Sequence, residues 1–288
     1  MLKVSLTHDV DRTEKTYQYL THTLKALRKG DMRTASYHLG SLNRRKQVYW
    51  NFEDIMEIED RFDARSTFYF LLESFPFSLL KPKSWKLALG RYDIHEERIT
   101  ELIHQLIAGG WEIGLHGSWA SYNSPELLKK EKQMLEDVAG QQVKGIRQHY
   151  LNWNEDTWQL QKQAGFLYDT TWGYTRKIGY RENKVKPFAP FNDHFKVFPM
   201  AIMDSCYMNT PDRLRELYKL IQLTRDNDAV LVINWHSNNY NEKDFPGYRE
   251  AYIEIIEACK AEGARFGTLE EFYEEMMEER KGDKALRR

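Results

Sequence analysis

Short runs rich in β-branched and aromatic residues alternate with helical stretches along the whole chain, and this alternation most limits the folds open to it. Residues 3–7, 65–71, 111–115, 143–146, 166–168, 196–202, 229–234 and 264–267 read as strands. Residues 52–62, 96–108, 125–137, 155–164, 211–225 and 248–261 read as helices. Gly109-Gly110, Gly165 and Gly263 stop helices, Ser124 with Pro125 starts one, and Thr268 caps a final acidic helix whose end turns basic at Lys284 to Arg288. A strand–helix repeat of this kind builds a parallel sheet, so one α/β domain over residues 1–288, closed into a parallel barrel, is expected. With 288 residues and 41% apolar content, the core is large enough for it.

Composition excludes several classes of function. The net charge of -1 gives no global field for nucleic acid or a membrane. No apolar run approaches the about 18 residues of a spanning helix, so no stable membrane insertion is expected. Met1 is followed by no apolar leader, and Cys206 and Cys259 are few and far apart. Reduced thiols and a cytoplasmic location are therefore expected. No G-x-G-x-x-G, P-loop, G-x-S-x-G or paired C-x-x-C motif occurs, which disfavours nucleotide enzymes, serine hydrolases and zinc ribbons. Residues 12–50 break the rhythm directly after the first strand, with nine Lys or Arg against two acids. They read as a helical insertion: either a lid or patch for an anionic substrate or partner, or a solvated helical pair with a charged wet face.

The chemistry gathers at predicted strand ends. Asp9 and Asp11 follow the first strand at i and i+2, so both can face one way. Two such carboxylates call for a cation, a proton or an Arg between them, unless Asp9 is a helix cap and Asp11 a turn residue. His116, then Arg147 and His149, then His236 follow three further strands. Imidazole with carboxylate is a ligand set for Zn²⁺ or a similar divalent ion. Trp119 and Trp172 suit either a sugar-binding face or core packing, and Asn238 and Asn239 either substrate contact or a turn. His95 and His104 read as structural.

The order Thr7-His8-Asp9-Val10-Asp11, Ser66-Thr67-Phe68-Tyr69, Glu112-Ile-Gly-Leu-His116, Arg147-Gln-His-Tyr150, Gly165-Phe-Leu-Tyr-Asp169, Trp235-His236 resembles the polysaccharide deacetylases, the carbohydrate esterase family 4 or NodB-type hydrolases. The resemblance runs from Val4 to about Phe272. It implies a distorted (β/α)7 barrel and metal-dependent removal of acetyl groups from glycans, or hydrolysis of related amides. By that resemblance Asp9 is the general base, Asp11 and His116 bind metal, and Arg147 orients the base. It likewise makes the Tyr150 N–H an oxyanion donor and His236 the proton donor to the leaving group, and lets Asp169 pair with Arg147 or His236.

One position departs from the family pattern. Ala120 stands where the second metal histidine would follow His116 by four residues. A Zn²⁺ site normally has at least three protein ligands. His149 is the favoured substitute, ahead of His8, Ser121 and Tyr122; otherwise the metal is held weakly or lost. The expected activity is hydrolysis of an N-acetyl or O-acetyl group on a carbohydrate, with Zn²⁺ as first cofactor and Co²⁺, Ni²⁺ or Mn²⁺ as alternatives. The expected substrate is intracellular, such as a glycan precursor or sugar conjugate. The alternatives are hydrolysis of a linear or cyclic non-sugar amide, as in allantoinase-like relatives, and a metal-free glycan-binding relative.

Overall fold

The computed structural model describes residues 1–41 and 48–286. The chain folds as the expected distorted (β/α) barrel in a single domain. Strands β1 (Lys3–Val10), β2 (Thr67–Leu71), β3 (Glu112–Gly117), β4 (Gly145–Gln148), β5 (Tyr168–Asp169), β6 (Lys196–Val197), β7 (Met200–Met203) and β8 (Val230–Asn234) form one parallel sheet. Their order is β6-β5-β4-β3-β2-β1-β8-β7, and β9 (Arg265–Phe266) pairs beside β1. Residues 196–202, read from sequence as one strand, are two strands at opposite edges of this sheet. Pro199 lies between them and has no N–H to give a ladder. The chain therefore crosses the barrel seam covalently, with the Phe198 N–H on the Asp169 carbonyl and the Met200 N–H on the Trp172 carbonyl.

The two faces of each strand do different work. Val4, Leu6, Phe68, Phe70, Leu231 and Ile233 point outward into the main core. There they meet α3 (Phe52–Arg61), α5 (Glu97–Ala108), α6 (Pro125–Ala139), α9 (Arg213–Asp226) and α10 (Tyr248–Ala261). In α5 the buried Ile99, Leu102, Ile103 and Leu106 recur at helical spacing. Ser124 caps α6 by accepting the Leu127 N–H at 3.4 Å. The inward residues of alternate parity fill the lumen. Tyr69, Tyr168, Val230 and Val232 pack on Leu269, Phe272 and Tyr273 of α11 (Leu269–Leu286), which plugs the amino end of the strands. Thr268 and Glu271 cap α11 reciprocally.

The insertion after β1 is a helical pair, α1 (Gln18–Arg28) and α2 (Met32–Ser41). Arg44, Arg45 and Lys46 of the basic run lie outside the described residues, as do Arg287 and Arg288 of the basic end. Two short helices went unread in the sequence, α4 (Pro82–Ala88) and α8 (Asp204–Met208); α7 (Thr157–Gln163) lies within the expected 155–164. No helix among the described residues is long and apolar enough to cross a membrane.

Gly114 faces the lumen on β3, where a Cβ would run into the Tyr69 ring. That ring in turn lies against the Arg147 guanidinium, 4.6 Å from its carbon. Gly114→Ala is expected to destabilise the fold by about 1–3 kcal/mol through overpacking. An unchanged midpoint in urea unfolding would contradict the packing described.

Candidate active site

Arg147 organises the carboxyl end of the barrel. It projects inward from β4 and is wholly buried. Its Nη1 donates to Asp9 Oδ1 at 2.7 Å and to Asn234 Oδ1 at 2.9 Å, and its Nη2 donates to Thr7 Oγ1 at 2.9 Å. Asn234 Nδ2 completes the set by donating to Asp9 Oδ2 at 2.7 Å. Both oxygens of Asp9 are thus held. Burial pushes the Asp9 carboxyl upward, but the charges of His116, Arg147 and His236 outweigh it and bring its pKa to about 2.

Beside Asp9, three side chains from three elements converge. Asp11 lies just past β1, His116 is on β3, and His149 opens the short 3₁₀ turn His149–Leu151 after β4. Their ligand atoms all lie within 4.8 Å of one another. His116 Nε2 is 3.4 Å from Asp11 Oδ1, and His149 Nε2 is 3.6 Å from Asp11 Oδ2. These gaps exceed ordinary hydrogen bonds, and Asp11 Oδ1 is buried without a hydrogen-bond partner. Ligands at the about 2.0–2.2 Å typical of Zn²⁺ stand at comparable spacings around one tetrahedral ion. The donor set, one carboxylate and two imidazoles, fits a divalent cation.

The far nitrogen of the His116 ring is anchored; that of His149 only faces a carboxylate. His116 Nδ1 lies 2.9 Å from the Arg147 carbonyl oxygen, which places a neutral ring's proton on Nδ1 and its lone pair on Nε2. His149 Nδ1 faces Glu73 Oε2 at 3.5 Å, and Glu73 itself accepts the Trp119 and Phe75 N–H groups. Burial lowers the affinity of His149 for a proton, yet Asp11 and Glu73 outweigh it and raise its pKa. Asp11 is held well below the usual range: burial raises it, and His149 and His116 more than offset that.

His236, just past β8, faces the same space. Its Nε2 is 3.9 Å from Asp9 Oδ2. Its Nδ1 lies 2.9 Å from Asp204 Oδ2, which also accepts the His236 and Asn239 N–H groups at 2.8 and 2.7 Å. Burial would lower the His236 pKa, but Asp204 first, then Asp11 and Asp9, raise it to about 10. Asp204 and Glu73 were not singled out in the sequence. Each lies one or two residues beyond a strand, which is the signal that could have found them.

One expectation needs correction, and several open alternatives have a place in the structure. Asp169 pairs with neither Arg147 nor His236. Its carboxylate accepts from Trp158 Nε1, Gln161 Nε2 and the Thr171 N–H and hydroxyl, so it ties β5 to α7. His8 turns away from the lumen, its ring nitrogens 2.8 Å from the Trp235 carbonyl and from Glu59 Oε1. The Ser121 hydroxyl donates to the Ser118 carbonyl, and the Tyr122 carbonyl accepts from Thr157. Trp172 is core: it packs against Trp153 and Trp158 under the Arg181 guanidinium. Asn239 serves Asp204, and Asn238 bonds Asn239. A second histidine–carboxylate group, His22, His38 and Asp244, already has its cation, because the buried Lys15 Nζ lies 2.6 Å from Asp244 and 2.8 Å from His38.

Space for a substrate adjoins the site. A cavity of about 250 Å³ is lined by Asp11, Tyr49, Asp204, His236 and Asn238. Another of about 350 Å³ runs from Glu73 past Arg91 to Lys130 and Glu131. Tyr150 takes a left-handed backbone, φ 59°, next to His149, and its half-exposed ring lies against the His149 ring.

No family model matches the chain, and no curated protein matches it. Solved structures do. A protein from Mycobacterium smegmatis assigned as a polysaccharide deacetylase is 20% identical, with 97% of this chain and 91% of that one covered and a TM-score of 0.60. One from Pseudomonas aeruginosa PAO1, also assigned as a polysaccharide deacetylase, is 14% identical, with 95% and 90% covered and a TM-score of 0.57. The Puue allantoinase is 15% identical, with 95% and 89% covered and a TM-score of 0.55. The chain shares the fold of these three solved structures.

Proposed function

We propose that the chain is a metal-dependent hydrolase that removes an acetyl group from an N-acetylated or O-acetylated carbohydrate. One observation carries this reading. At a single barrel mouth stand a carboxylate clamped by arginine (Asp9–Arg147), a carboxylate with two imidazoles (Asp11, His116, His149), and a histidine kept protonated by a carboxylate (His236–Asp204). Amide or ester hydrolysis needs a base, an electrophile and an acid, and these three groups supply them. The assignment of two similar folds as polysaccharide deacetylases supports a carbohydrate substrate.

Asp11, His116 and His149 would hold the cation, Zn²⁺ first and Co²⁺, Ni²⁺ or Mn²⁺ next. When bound, it would acidify a water and polarise the acyl oxygen, which a carboxylate as weakly basic as Asp9 requires. Asp9, oriented by Arg147 and Asn234, takes the proton of the attacking water. The main-chain N–H of Tyr150, next to His149, would be the donor to the developing oxyanion. His236, protonated through neutral pH, gives its Nε2 proton to the leaving nitrogen or oxygen, and Asp204 retains the ring. A second reading, hydrolysis of a cyclic or linear non-sugar amide, draws support from the allantoinase that shares the fold.

Asp9→Asn is expected to lower acetate release from acetylated chito-oligosaccharides by roughly 10²–10⁴-fold while bound Zn²⁺, read by elemental analysis, stays the same. Undiminished turnover would remove Asp9 as the base. Release of no acetate, together with opening of a cyclic ureide, would favour the second reading. Glycan binding without hydrolysis under any added metal would favour a binding protein.

Asp204→Asn tests the acid. With Asp204 present, His236 keeps its proton until the pH rises to about 10; without it, the proton should leave nearer the ordinary 6.5. A histidine NMR titration reads this directly, and the alkaline fall in kcat should shift down with it. An unmoved His236 titration would contradict the pairing.

A further inference from the structure

The helix α1 faces the wrong way for a helix docked on a protein. Its buried side carries Gln18, Thr23 and Ala26. Leu20, Leu24 and Leu27, at i, i+4 and i+7, form one stripe and are exposed, Leu24 by 55%. The segment after β2 repeats the pattern, with Phe77, Leu79 and Leu80 exposed, Leu80 by 93%. Of the fourteen large apolar side chains exposed among the described residues, nine belong to the insertion after β1, with α1 and α2, and to the segment after β2.

Both segments leave adjacent parallel strands at the same end, with Val10 opposite Phe70 in the ladder. They also pack together. Arg12 donates to the Lys86 and Leu89 carbonyls, Arg91 to the Asp11 carbonyl at 2.7 Å, and Tyr92 to the Val10 carbonyl at 2.8 Å. The apolar rim therefore flanks the catalytic mouth. Its exposed charge leans positive: in residues 12–41 Lys25, Arg28, Lys29 and Arg33 are exposed against Glu14 and Asp31, while Arg12 and Lys15 are buried, and the sequence of residues 75–91 holds four Lys or Arg and no acid, in a chain of net charge -1.

We infer that this rim docks on an anionic lipid bilayer, with the leucines entering the interface and the lysines and arginines meeting lipid phosphates. Exposed leucines flanked by cations are the pattern of surface-lying amphipathic helices. A second copy of the chain is a poorer partner. A two-fold contact through this face would set its surplus of positive charge against the same surplus. Docking of this kind needs no spanning helix, and it stands independently of the hydrolase reading.

Co-sedimentation of the full chain with vesicles tests the inference. Partition onto phosphatidylcholine–phosphatidylglycerol vesicles at low salt should exceed that onto phosphatidylcholine alone by at least about tenfold, and should fall as salt is added. Leu24→Glu with Leu80→Glu should reduce the anionic partition by about tenfold or more, with circular dichroism unchanged. Lys25→Gln with Arg28→Gln should lower it in the same direction by removing charge alone. Equal partition onto both vesicle types, or none onto either, overturns the inference. So does a concentration-dependent dimer that Leu24→Glu dissolves, which would assign the face to a second copy.

Discussion

The ion pair between Arg147 and Asp9 is the contact on which the rest of the site depends. A guanidinium with no exposed surface is tolerable only where its charge and its donors are met, and removing one partner of such a pair costs roughly 3–5 kcal/mol. Here the partners come from β1 and β8, three and four ladders away from β4. The contact is possible only because the sheet is rolled. It also divides the lumen: aromatic and aliphatic side chains fill one end around α11, and polar groups take the other. Clamping Asp9 at both oxygens leaves a carboxylate that is ionised through neutral pH and aimed at the histidines.

Strand parity explains how several residues reach one place. Side chains at i and i+2 share a face. Asp9 carries Asp11 with it, Arg147 carries His149, and Asn234 carries His236. Parallel ladders then align these pairs, with Leu71 opposite His116 and His116 opposite Arg147. The same geometry accounts for Ala120. With no histidine one turn beyond His116, an imidazole arrives from the next strand end, and Glu73 stands behind it.

Strand ends are readable without coordinates, so Asp9, Asp11, His116, Arg147, His149 and His236 are legible there in the sequence, and parity predicts the shared face of Asp9 and Asp11. What escaped depended on contacts distant in sequence. Asp204 is hidden because residues 196–202 look like one strand, although Pro199 splits them into β6 and β7, and α8 begins at Asp204 directly after β7. Asp169 was misassigned because nothing local reveals that Trp158 and Gln161, on the preceding helix, claim its carboxylate. In residues 12–50 the charges suggested a wet basic face; the leucines that share it are visible only once the buried side of α1 is known.

The central claim is that His149 replaces the missing histidine as a metal ligand. Anomalous diffraction from crystals grown with Zn²⁺ tests it most directly. The account predicts one strong peak bounded by the Asp11 carboxylate and the Nε2 atoms of His116 and His149. A peak that His149 does not touch, or no peak at that position with Zn²⁺ in excess, would contradict it.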